Sequence, residues 1–79
     1  MSAPVTARGL GDRWLAGETI DGVAFAQHEP VVLRAGRRAG RVGRVLLLAS
    51  GPPDPHYLVA VDDEPRPLRL RESELERAH

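Results

Sequence analysis

The sequence contains no cysteine, no lysine and no asparagine, and it has three aromatic residues. Without cysteine there is no disulfide, no thiolate metal site and no cysteine nucleophile, which fits a reducing compartment, so we expect a cytoplasmic protein. The absence of asparagine excludes an N-glycosylation sequon. The longest uninterrupted apolar run, 45–49, is five residues long, whereas a membrane-spanning helix needs about 20. We therefore expect no membrane segment and no signal peptide.

The 79 residues are 42% hydrophobic and 28% charged with a net charge of zero, a balance that predicts one small domain with a single core. Residues 1–17 lack a sustained period and are expected to form a partly ordered N-terminal arm, whereas residues 18–79 form the domain. Within the arm, Asp12 could cap one helical turn that ends at Gly17 and brings Trp14 and Leu15 back onto the domain.

Several short segments alternate between apolar and polar residues, as β-strands do. The expected strands are 30–34, with Val31 and Leu33 on one face, 41–49, with Val45 and Leu47 inward, 56–61, with Tyr57, Val59 and Val61 on one face, and 68–71, with both leucines inward. Asp21-Gly22 is typical of a tight hairpin turn, and residues 72–78 suit either one helical turn or a last short strand with Leu75 inward. The pattern predicts an all-β domain whose small sheet is rolled into a barrel.

Residues 31–45 carry glycines at 36, 40 and 43 and a valine at 45 between two apolar segments. This spacing resembles a KOW-type motif, the strand-turn-strand opening of many SH3-like barrels, and the resemblance extends over about residues 29–76. It implies a five-stranded SH3-like barrel whose partners are ribosomal RNA, ribosomal proteins or RNA polymerase. The zero net charge differs from the strongly basic ribosomal members.

Charge is segregated along the chain. Five arginines lie between positions 34 and 44, no acidic residue occurs from 31 to 53, and residues 54–79 hold seven acids and four arginines. Because guanidinium groups match carboxylate and phosphate geometry, one interpretation is a docking surface formed by Arg37, Arg38, Arg41 and Arg44 with Tyr57. The alternative is a solvated hairpin whose arginines pair within the fold with the acidic turn.

No pattern in the sequence indicates catalysis or a cofactor. The three histidines, His28, His56 and His79, lack metal-ligand spacing, and the serines lack the context of a nucleophile. We therefore expect a non-enzymatic module that binds a protein partner through its arginine-rich hairpin. Two alternatives remain open: a KOW-like RNA-, ribosome- or RNA-polymerase-associated binding protein, and a self-associating structural subunit that forms homo-oligomers.

Overall fold

The computed structural model describes residues 9–78. They form helix α1 (Leu10–Leu15), strands β1 (Pro30–Leu33), β2 (Val42–Ser50), β3 (His56–Val61), β4 (Leu68–Arg71) and β5 (Leu75–Arg77), and a 3-10 turn (Glu72–Glu74) before β5. Most of the expected N-terminal arm, residues 1–8, and His79 lie outside the described residues. Nowhere in residues 9–78 is there a helix long and apolar enough to cross a bilayer.

All five strands belong to one antiparallel sheet in the order β4-β3-β2-β1-β5. The first four form a meander, and β5 returns beside β1. The prediction of an all-β domain with five strands is thus confirmed at the level of class and strand number. The sheet itself is open, because β4 and β5 are its two edges and do not pair with each other in the described part of the chain.

The open edge between β4 and β5 has a local cause in the turn that joins them. The backbone N–H of Arg71 donates to Oε1 of Glu74 at 2.8 Å, and the N–H of Leu75 donates to the carbonyl of Glu72. Both amides are therefore satisfied within the turn and cannot enter a β4–β5 ladder. The predicted closed barrel is not formed, and the sheet stays open between β4 and β5.

The core lies on one face of the sheet. Its ten buried apolar residues are Trp14, Ile20, Phe25, Val31, Leu33, Val45, Tyr57, Val59, Val61 and Leu75, and Leu68 and Leu70 pack against them partly buried. The alternation predicted for 30–34 and 56–61 is confirmed, because the residues expected to share a face are buried together, and Leu75, the expected apolar anchor of the last segment, is buried as well. The remaining cover comes from α1 and the segment after it, which bring Trp14, Ile20 and Phe25 over the sheet.

Strand β2 departs from the predicted alternation at Leu46. The register against β3 shifts between Val45 and Leu47, so that Val45 pairs with Val59 but Leu47 pairs with Leu58. One extra residue in a strand moves every later side chain to the opposite face. The expectation that Leu47 points inward is therefore wrong: its side chain is 42% exposed.

Helix α1 begins three residues before the predicted turn, and Asp12 is inside its first turn instead of at the cap. The end of the helix agrees with the prediction, because Gly17 adopts φ +88° and donates its N–H to the carbonyl of Trp14. Trp14 is buried as expected, whereas Leu15 is 46% exposed. Gly22 forms the predicted turn at φ +83°, but the residues on either side of it are not strands.

Gly43 is buried on β2 beside Val61 of β3, and the space there does not admit a side chain. A Cβ at this position would be 2.8 Å from Cγ1 of Val59 and 2.9 Å from the carbonyl oxygen of Ala60. We predict that Gly43→Ala lowers the free energy of unfolding by about 1–3 kcal/mol, since the backbone oxygen cannot give way. Gly11→Ala is the control: it meets nothing within 4 Å and should be neutral or stabilise α1. Urea unfolding measures the free energy of unfolding of both variants. Equal changes in Gly43→Ala and Gly11→Ala would contradict the packing argument.

Candidate docking surface

The arginine-rich hairpin folds against the acidic turn that follows β3. Nε of Arg38 donates to Oε2 of Glu64 at 2.7 Å, and its second nitrogen donates to Oε1 at 3.4 Å. Arg41 also reaches Oε2 of Glu64, at 3.3 Å. Two of the four predicted contact arginines are thus engaged with a carboxylate of the same chain, the arrangement that the alternative interpretation of the hairpin describes.

These contacts change the ionisation of both partners. The hydrogen bond from Arg38, opposed by some desolvation and helped by the charges of both arginines, holds the pKa of Glu64 below its ordinary value of 4.5. The same bond raises the pKa of Arg38. The ion pair is consequently formed throughout the neutral range, and its guanidinium is less available to a partner.

The other arginines of this region are separated from one another. Arg34 pairs with Glu76 at 3.5 Å on the opposite side of β1. Arg37 lies exposed in the turn and Arg44 lies exposed on β2, and within residues 9–78 neither forms an ion pair or a side-chain hydrogen bond. The structure therefore does not bring the four predicted arginines together as one free surface.

Tyr57, predicted to join that surface, is completely buried. Its hydroxyl donates to Oε1 of Glu72 at 2.7 Å and accepts the backbone N–H of Phe25 at 3.4 Å, and its ring packs edge-on against Phe25 at 5.6 Å. Burial, together with the adjacent carboxylate, raises the pKa of the Tyr57 hydroxyl far above its ordinary value of 10. Tyr57 is a core residue and offers no surface to a partner.

The outer face of the sheet, the side away from the core, carries an apolar patch. The pairings that define this face are Val32 with Val42 and Glu76, Arg44 with Pro30 and Ala60, Leu58 with Leu47 and Arg69, and His56 with Ser50 and Arg71. Val42 and Leu47 on β2 are 45% and 42% exposed, and Leu15 on α1 is the third large hydrophobic residue with comparable exposure. Sequence reasoning missed this patch because nothing in the run of three leucines in β2 indicates which of them forms the bulge.

Acidic and basic residues lie at different ends of the outer face. Glu76, paired with Arg34, lies at one end, and Asp62 lies at the same end because its N–H donates to the carbonyl of Val42. Arg69, Arg71 and His56 lie at the other end. Asp54 approaches His56 at 3.7 Å and Arg71 at 3.9 Å, distances too long for strong pairing between exposed groups.

The two edges of the sheet offer few free backbone N–H groups. On β4 the amides of even-numbered residues face β3, as shown by the bond from Glu72 to the carbonyl of Pro55, so the outward amides are those of Arg69 and Arg71. The Arg71 amide is taken by Glu74, and Pro67, next in the alternation, has no N–H. On β5 the outward amide of Leu75 is taken by Glu72, which leaves Arg77. Each edge strand thus presents one free amide in the described region.

A half-open cavity of about 370 Å³ lies on the opposite side, between α1 and the segment that follows it. Its aromatic lining is Trp14 and Phe25, and its cation is Arg77. Arg77 is already engaged: it pairs with Glu29, donates to the carbonyl of Ala24 at 2.7 Å and lies 5.6 Å above the Phe25 ring. Among residues 9–78 no cluster of three His, Cys, Asp or Glu residues could hold a metal ion.

Comparisons with protein-family models, with curated proteins and with solved structures gave no match to this chain.

The buried Tyr57 hydroxyl predicts a measurable loss of stability in Tyr57→Phe. The substitution removes the bond to Glu72 and leaves the buried N–H of Phe25 without an acceptor, which should cost about 1–3 kcal/mol. Glu72→Gln is the control, since the amide oxygen can still accept from Tyr57 and from the N–H of Ala24. Denaturant unfolding followed by Trp14 fluorescence measures both variants. A Tyr57→Phe protein as stable as the wild type would show that the network contributes nothing.

The lowered pKa of Glu64 predicts a pH-dependent contribution to stability. A carboxylate whose folded pKa is below its ordinary value of 4.5 stabilises the protein above that pH and loses the contribution as pH falls through the folded pKa. The melting temperature of the wild type should therefore exceed that of Glu64→Gln at pH 7, and the difference should shrink below pH 4.5. The difference is expected to be small, because the arginines are largely exposed.

Asp63→Asn is the matched control for this experiment. It neutralises the adjacent acid, which has no ion pair in the described residues, and asparagine tolerates the φ of +71° found there. A loss of the same size and pH profile in both variants would mean that net charge, and not the Arg38–Glu64 pair, causes the effect.

Proposed function

We propose that this protein is a small non-enzymatic docking module that binds another protein through the outer face of its sheet. The observation that carries the proposal is the exposure of Val42 and Leu47 on the central strand, next to the unpaired Arg44. Exposed apolar side chains on either side of an arginine, with further charged residues at the ends of the face, are a composition found in protein interfaces.

The fold that presents this face is consistent with the resemblance to an SH3-like barrel. A four-strand meander followed by a 3-10 turn and a fifth strand that returns beside the first supports an SH3-like arrangement in an open form. In such an arrangement the concave side is filled by the core, and the convex side remains for a partner.

Two features favour a protein partner over a nucleic acid. All three aromatic residues, Trp14, Phe25 and Tyr57, are buried in the core, so no exposed ring can stack on a base. The basic hairpin predicted to contact phosphate is partly neutralised by Glu64. An apolar patch gains by removing carbon surface from water, and that gain depends little on salt.

The proposal is tested by capture of binding proteins with paired surface variants. Threonine at both positions, Val42→Thr with Leu47→Thr, places a β-branched residue of good strand propensity at each site but removes apolar area. We expect a loss of about 1 kcal/mol per substitution and about thirtyfold in affinity for the pair. The tagged full chain and the double variant are incubated with lysate of the source organism and with an untagged copy of the chain, and bound proteins are quantified.

Leu15→Gln is the matched control, because it removes a leucine of similar exposure from α1. The proposal predicts that Leu15→Gln keeps the bound protein and the double variant loses it, with equal melting temperatures. Loss with Leu15→Gln alone would move the docking site to the cavity beside α1. Binding that disappears on nuclease treatment, and that falls steeply between about 50 and 200 mM salt, would favour the RNA-binding alternative.

A further inference from the structure

We propose that the outer face of the sheet binds an extended acidic segment of its partner, in which two carboxylates lie on either side of an aliphatic side chain. The inference rests on the docking function proposed above and names the chemistry of the partner. It is carried by the positions of Arg44 and Arg69, two arginines of this face that pair with no carboxylate of residues 9–78.

Most arginines of the described chain already face an acidic side chain. Those with a carboxylate partner in residues 9–78 are Arg13, Arg34, Arg38, Arg41, Arg71 and Arg77. Arg69 donates its Nε to Nδ1 of His56 at 3.1 Å, and no described residue accepts from its two terminal amino groups. Arg44 has neither an ion pair nor a side-chain hydrogen bond in the same range. Both guanidinium groups can therefore donate to a carboxylate that another molecule supplies.

Apolar side chains fill the space between these two arginines. Arg44 on β2 pairs with Ala60 on β3. Leu58 lies two residues from Ala60 on the same side of β3, where it pairs with Leu47 on one side and with Arg69 of β4 on the other. Two strand spacings and two residues along a strand put the Cα atoms of the two arginines about 12 Å apart. The face therefore presents two cations with leucine between them.

This separation fits an extended segment whose acidic residues are four positions apart. Four residues of strand rise about 13 Å, and every second side chain projects to the same side. The two carboxylates then lie over Arg44 and Arg69, and the side chain midway between them lies on Leu47 and Leu58. A single extended segment contacts the middle of the face and needs no contact at its ends.

The acids of the face restrict where the carboxylates of the partner can lie. The shallow depression around Arg44 is lined by Pro30, Val42, Gly43, Ala60 and Asp62. Asp62 forms no ion pair with Arg44 among the described residues, and it lies on the side of Arg44 away from Arg69. Repulsion from Asp62 therefore directs the acids of the partner toward Arg69. The same repulsion disfavours a nucleic acid, whose phosphates follow one another without interruption.

The test selects peptides from a displayed library of random sequences on the immobilised full chain, at physiological salt. We expect the selected sequences to share two acids four positions apart with an aliphatic residue midway. Arg44→Gln and Arg69→Gln should each weaken binding of the synthetic peptide about tenfold. Arg44→Lys should restore only part of this loss, since an ammonium group cannot form two parallel hydrogen bonds. Selection on Arg44→Glu should replace one of the two acids with a basic residue.

Arg37→Gln is the matched control, because it removes an exposed arginine without an ion pair in residues 9–78 from the hairpin turn. It should leave peptide binding and the melting temperature unchanged. Selected peptides that lack acids overturn the proposal, as do acidic peptides that bind Arg44→Gln as tightly as the wild type. A single-stranded oligouridylate that binds with the same dependence on both arginines overturns it in favour of phosphate.

The capture experiment described above separates this inference from the docking function. A protein that is lost with Val42→Thr/Leu47→Thr but retained by Arg44→Gln and Arg69→Gln leaves the docking function standing and overturns the acidic segment. Loss with all three supports both. Retention by all three overturns both.

Discussion

The hydrogen-bonded position of Tyr57 is the constraint on which the rest of the structure depends. The ring stands on β3 at the centre of the core, in contact with the rings of Trp14 and Phe25, and its hydroxyl bonds to Glu72 in the turn before β5. Glu72 in turn accepts the N–H of Ala24 at 2.8 Å. One buried side chain therefore joins the sheet, the last turn and the segment after α1, and this short chain needs such a link because its strands alone cover one side of the core.

The same network determines which surface remains free. Trp14 donates its indole N–H to the carbonyl of Phe25 at 2.8 Å, so the tryptophan is directed inward to satisfy a buried carbonyl. With the aromatic residues used in this way, the inner side of the sheet is closed by α1 and its following segment. In the hairpin, Arg38 and Arg41 are likewise paired with Glu64 of the same chain. Within the described residues, the outer face around Val42 and Leu47 is left without a partner.

Sequence patterns predicted the class of the fold and most of the core, because alternation along β1 and β3 is uninterrupted and every inward residue there is apolar. They could not predict the phase of β2 beyond Val45, since the bulge depends on how β2 pairs with β3 and any of three leucines could occupy it. Charge segregation along the chain indicated where the arginines cluster. It did not indicate that the turn 62–64 folds beside the hairpin, where Glu64 pairs with Arg38 and Arg41. The amides of Arg71 and Leu75 at the open edge donate to the carboxylate of Glu74 and the carbonyl of Glu72, and no spacing rule specifies these hydrogen bonds.

The outer face presents a packing problem that residues 9–78 do not solve by themselves. An antiparallel sheet can leave one face to water when that face is polar, and in this sheet β4 meets the condition with Arg69 and Arg71. The central strand does not, because Val42 and Leu47 expose nearly half of their surface. Domains usually cover an apolar sheet face with a second layer, but α1, six residues long, is already engaged with the core. The docking function proposed above would supply a second layer for the outer face from another molecule.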